Sequence, residues 1–82
     1  MIVLGFNTKQ SQKEIFVKAT EYFVDKVGLI EIERENCCLR FADENDIGYV
    51  NVMFSENYRK SEVEVESREY DYHAKKFVND VK

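Results

Sequence analysis

The chain has 82 residues, 12 Lys and Arg against 16 Asp and Glu, a formal net charge of −4, and 44 % apolar side chains. That length holds one domain, residues 1–82, and the apolar fraction is too high for a disordered chain. The acidic balance disfavours nucleic acid, whose phosphates call for an excess of Lys and Arg. No apolar run approaches the roughly 20 residues of a membrane span.

Met1 to Phe6 is a short continuous apolar run and predicts a buried first strand. Ser11-Gln12-Lys13-Glu14 matches a capping box, in which hydroxyl and carboxylate reciprocally satisfy free amides at a helix start. The helix it opens is expected from about Gln12 to Val27. Ile15, Ala19, Tyr22, Phe23 and Val27 share its apolar face, Glu14 and Lys18 pair on its flank, and Gly28 forms its left-handed cap.

After Gly28 the apolar period changes from 3.6 to 2. Leu29 to Arg34 alternates, with Ile30 and Ile32 expected inside and Glu31 and Glu33 outside. Asn36 is expected in a tight turn, since Asn tolerates left-handed backbone geometry. Leu39 and Phe41 then alternate with Cys38, Arg40 and Ala42; Val50, Val52 and Phe54 alternate with Tyr49, Asn51 and Met53. Ser55 to Ser61 reads as a loop. Glu62-Val63-Glu64-Val65-Glu66 is a strict alternator, and Tyr70, Ala74, Phe77, Val78 and Val81 fall at helical spacing, with Asp71 as the expected cap.

The order β-α-β-β-β-β-α predicts an α+β two-layer sandwich: a mainly antiparallel sheet of four or five strands with two helices on one face. The other face is then open. It presents Cys38, Arg40, Tyr49, Asn51 and Met53, with Glu62, Glu64 and Glu66 expected at its rim. A less charged, aromatic and Met-bearing centre inside a charged rim is how protein interfaces are composed; solvated sheet faces carry some apolar residues as well. The acidity is local: residues 61–71 set one Arg against five carboxylates, whereas residues 1–41 are neutral. An edge strand guarded by charge, or a strip for a basic partner, accounts for that row. Lys13, Lys18, Lys75 and Lys76 lie elsewhere, so the exclusion of phosphate partners is local to that strip.

Chemistry is thinly represented. Cys37 and Cys38 are adjacent and predict two reduced thiols in a cytoplasmic protein, because a disulfide between neighbours distorts the backbone. Asp43, Glu44, Asn45 and Asp46 crowd oxygen donors into one turn. The spacing is not that of a helix-flanked calcium loop, since Ile47 and Phe54 stand where ligands belong; weak divalent-cation binding is the alternative reading. His73 is the only histidine, and Asp71 two residues before it does not share its helix face. Gly5, Gly28 and Gly48 are isolated, so there is no phosphate-cradling loop. The α-β-β-β-α portion has the element order of a double-stranded-RNA-binding domain. The residues leading into its second helix are acidic where such a domain is basic, and no family is assigned. The sequence therefore predicts a small non-catalytic interaction or regulatory domain without cofactor. It would act through its open sheet face on a protein partner or on a second copy of itself as a homodimer.

Overall fold

The computed structural model describes residues 1–58 and 60–82. Five strands, β1 (Ile2–Thr8), β2 (Ile30–Arg34), β3 (Cys38–Ala42), β4 (Tyr49–Asn57) and β5 (Lys60–Arg68), form one antiparallel sheet in the order β1-β5-β4-β3-β2. Two helices, α1 (Gln12–Thr20) and α2 (Asp71–Val81), pack on one of its faces. This is the expected α+β sandwich. β1 joins the sheet through β5, pairing Ile2↔Ser67 to Thr8↔Ser61. Among the described residues no helix is long and apolar enough to cross a membrane.

The core lies between the layers. Leu39, Phe41, Val50, Val52, Val63 and Val65 point to the helices and meet Ile15, Phe16, Ala19, Phe23, Ala74 and Phe77. Phe23 sits at its centre, fully buried, with ring centroids 5.5 Å from Phe41 and 5.2 Å from Phe77. The Ser11 capping box is formed: the Glu14 N–H donates to Ser11 Oγ at 3.2 Å, and Ser11 N–H donates to the Glu14 carboxylate at 3.3 Å. Lys18 does not pair with Glu14; it donates to Gln10 Oε1, while Gln10 Nε2 donates to the Val81 carbonyl at 2.7 Å and ties the α1 entry to the end of α2.

Several local expectations fail for identifiable reasons. The helix that α1 begins continues as a π turn over Glu21–Lys26, with Val27 N–H donating to Tyr22 O, and Phe23 within it is fully buried, on the side its spacing predicts. Gly28 follows at φ 92, the left-handed position expected of it. β2 is inverted relative to its alternation ahead of its bulge, whereas Glu33 beyond it stands opposite Arg40 on the open face, as expected. Glu31 stands opposite core-facing Phe41, Ile30 opposite Ala42, and a bulge lies between Glu31 and Glu33. Glu31 survives on the helix side because Arg34 clamps its carboxylate at 2.7 and 3.1 Å while also donating to Thr20 Oγ1. The Arg34 hydrogen bond holds the Glu31 carboxyl below its usual range. Ile30 and Ile32 are consequently 50 % and 48 % exposed.

Asn36 does lie in the tight turn expected of it, without left-handed geometry: Glu35 and Cys38 close the β2–β3 hairpin around it by exchanging backbone hydrogen bonds at 2.8 and 3.4 Å. Most of the stretch from Ser55 to Ser61 is not a loop, since β4 and β5 continue to the pair Asn57↔Lys60, with Tyr58 at φ 59. Arg59 of that stretch lies outside the described residues. Asp71 does not cap α2. Tyr70 is the cap residue, without a side-chain cap bond, and Asp71 is the first helical residue, 3.5 Å from the Met1 amine.

Candidate functional site on the open sheet face

Strand register sets which side chains share the uncovered face. Cys38 pairs with Met53, Met53 with Glu64, and Glu64 with Gly5; Arg40 pairs with Asn51, Asn51 with Glu66, and Glu66 with Val3. Directly paired residues point the same way. Cys38, Arg40, Tyr49, Asn51, Met53, Glu62, Glu64 and Glu66 therefore lie on one surface, opposite the helices. The rim expected on β5 is displaced. β5 is an interior strand between β1 and β4, so its glutamates run through the middle of the face, and guarding an edge does not explain them.

The face divides into two halves. In one, polar groups satisfy each other across three strands: Arg40 Nη1 donates to Asn51 Oδ1 at 3.3 Å, and Asn51 Nδ2 donates to Glu66 Oε1 at 3.1 Å. Arg40 also lies 4.4 Å from the Tyr49 ring centroid, a cation–π contact, and 4.0 Å from the Asp46 carboxylate. In the other half, Cys38, Met53, Glu64 and Gly5 form one cross-strand row that lines an open groove of about 680 Å3, with Glu64 standing between Met53 and Gly5 and with Val3 and Glu62 beside the row. Gly5 lowers the floor because it has no side chain above the pleat. Val3, 54 % exposed, forms part of the same surface.

The expected free thiols are absent: Cys37 and Cys38 are joined as a vicinal disulfide at the end of the β2–β3 hairpin, on the groove wall. A hairpin turn tolerates the local distortion that a continuous strand would not. Sulfur in this form is not a nucleophile, so Cys38 offers no thiolate chemistry.

The turn at residues 43–46 is arranged for structure. Asp43 Oδ1 accepts from Ile47 N–H at 3.0 Å, and Oδ2 accepts from Gly48 N–H at 3.1 Å and from the Tyr70 hydroxyl at 3.3 Å. Desolvation, the largest single influence, pushes the Asp43 carboxyl up, but these hydrogen bonds outweigh it and hold the group below its ordinary range. Glu44 and Asn45 point to solvent, and Asp46, at φ 54, turns toward Arg40. The four side chains do not converge. Among the described residues no three His, Cys, Asp or Glu side chains gather closely enough to hold a metal ion. His73 stands half-buried among aromatic rings, its Nδ1 3.1 Å from the Tyr22 hydroxyl, as a link between the π turn and α2.

Val3 and Gly5 were not legible as surface residues, because a continuous apolar run reads as a strand buried on both sides. Alternation through the single glycine was the available signal. No protein-family model matches this chain, and no curated protein or solved structure resembles it significantly.

Proposed function

We propose that the chain is a small non-catalytic interaction domain whose open face receives an apolar, basic-flanked segment of a protein partner. The observation that carries this reading is the groove lined by Val3, Gly5, Cys38 and Met53, with Glu64 between Met53 and Gly5 and Glu62 next along β5, on the face opposite the helices. An apolar side chain fills the floor, and Lys or Arg beside it answers the two carboxylates. Charge complementarity of this kind chiefly sets specificity and association rate, while the desolvated centre supplies affinity. The neighbouring Arg40–Asn51–Glu66 network is internally satisfied and offers a rigid border.

The test is to select displayed peptides on the intact protein and measure their affinity for Met53→Lys, which faces Glu64 and so suits the folded sheet. Selected peptides should pair an apolar residue with Lys or Arg, and the substitution should weaken them about tenfold or more, the equivalent of at least about 1.4 kcal/mol. Failure to select any peptide, or equal binding to the variant, refutes the reading.

A further inference from the structure

The two edges of the sheet are built differently. β2 carries Glu31, Glu33 and Arg34 and a bulge, devices that discourage pairing with another strand. β1, Ile-Val-Leu-Gly-Phe-Asn-Thr, has seven residues without a charge, a proline or a bulge, and it pairs only with β5 among the described residues. The direction of its free backbone groups follows from register. Phe54 N–H donates to Cys37 O at 2.8 Å, so even-numbered residues of β4 bond toward β3 and odd-numbered ones toward β5. Carried across β5, the same alternation makes Ile2, Leu4, Phe6 and Thr8 bond inward. Val3, Gly5 and Asn7 are left with N–H and C=O turned outward.

We propose that a second copy of this chain pairs antiparallel with β1 about a two-fold axis at Gly5, making one ten-stranded sheet. In that register Val3 meets the partner's Asn7 and Gly5 meets the partner's Gly5, so every outward amide of Val3, Gly5 and Asn7 enters a ladder bond. On the helix side Leu4, only half-buried in one chain, comes opposite the partner's Phe6, and each covers the other. The strand is self-complementary about its central residue, as a closed two-fold contact requires. The axis is uncrowded: a Cβ on Gly5 would meet only Val63 O, at 3.9 Å. This inference stands apart from what the groove binds, since the pairing uses backbone at the sheet edge.

Sedimentation equilibrium of the full chain from low micromolar to near-millimolar concentration, with amide exchange by NMR, tests it. The wild type should approach twice the chain mass. Its Val3, Gly5 and Asn7 amides should be protected alongside Ile2, Leu4, Phe6 and Thr8. Gly5→Lys sets two like charges face to face at the axis while opposing Glu64 favourably within each chain, and should weaken the dimer about 100-fold. In that variant protection should vanish at Val3 and Asn7 and persist at the even-numbered residues; Met53→Lys should stay dimeric. If Gly5→Lys loses the even-numbered protection as well, Val3→Pro replaces it: the Val3 N–H faces outward, so the ring leaves the β5 pairing intact while blocking the seam, and protection should vanish at Gly5 and Asn7 with the dimer. A single-chain mass throughout, a dimer whose Val3, Gly5 and Asn7 amides exchange freely, or a dimer indifferent to the lysine overturns the proposal.

Discussion

Gly48 is the position where a single methyl group should do the most measurable damage. An alanine Cβ there would lie 2.4 Å from Tyr70 Cε2, 3.0 Å from Tyr70 Cδ2 and 3.1 Å from the Arg68 carbonyl oxygen. The Arg68 carbonyl belongs to β5 and cannot give way, so the Tyr70 ring must retreat by about 1 Å to reach an ordinary contact of about 3.5 Å. The Tyr70 hydroxyl, 3.3 Å from Asp43 Oδ2, then passes beyond hydrogen-bond range. Overpacking of this kind costs about 1–3 kcal/mol and the lost hydrogen bond about 1 kcal/mol, so Gly48→Ala should destabilise by about 2–4 kcal/mol. That is most of the roughly 3–5 kcal/mol a core of this size supplies. Urea unfolding followed by far-ultraviolet circular dichroism measures it directly. Repeated in a Tyr70→Ala background, where only the Arg68 carbonyl remains close, the same substitution should cost less than about 1 kcal/mol. A cost under about 0.5 kcal/mol in the wild type, or equal costs in both backgrounds, would refute the packing assigned to Tyr70.

Three further outcomes are expected. Phe23→Ala, at the fully buried junction of Phe41 and Phe77, should cost about 3–5 kcal/mol in the same assay. Asp43 has a lowered folded-state pKa, so its contribution is complete above the unfolded value of about 3.9 and fades as pH falls through the lower folded value; acid titration of Asp43→Asn should lack that loss, and its melting temperature at neutral pH should be lower. The Cys37–Cys38 link closes no chain loop, so reduction should change unfolding free energy by less than about 1 kcal/mol, against about 3 kcal/mol for a disulfide spanning 15 residues.

The layers of this fold were readable because each amphipathic element has a partner of matching period. Val63 and Val65, Leu39 and Phe41, and the α2 stripe all point where their spacing places them. What was not readable depended on neighbours distant in sequence. β2 looks like an alternator with isoleucines inside; Arg34 and Thr20 instead hold Glu31 on the helix side, and the bulge resets the pattern. The placement of β1 beyond β5 moved the Glu62, Glu64 and Glu66 row from the rim to the interior of the face, and local spacing carries no trace of strand order. The candidate surface was half legible: Cys38 and Met53 follow from alternation, whereas Val3 and Gly5 require knowing that β1 has one face open. The vicinal disulfide depended on Cys37 and Cys38 falling at a hairpin turn, a boundary that the apolar pattern alone leaves open.

Amide shift mapping of the chain with a bound basic-flanked peptide tests the interaction reading most directly. The largest changes should cluster at Val3, Gly5, Cys38, Met53, Glu62 and Glu64, leaving α1 and α2 unmoved. Changes concentrated on the exposed sides of the helices, with the groove silent, would contradict it.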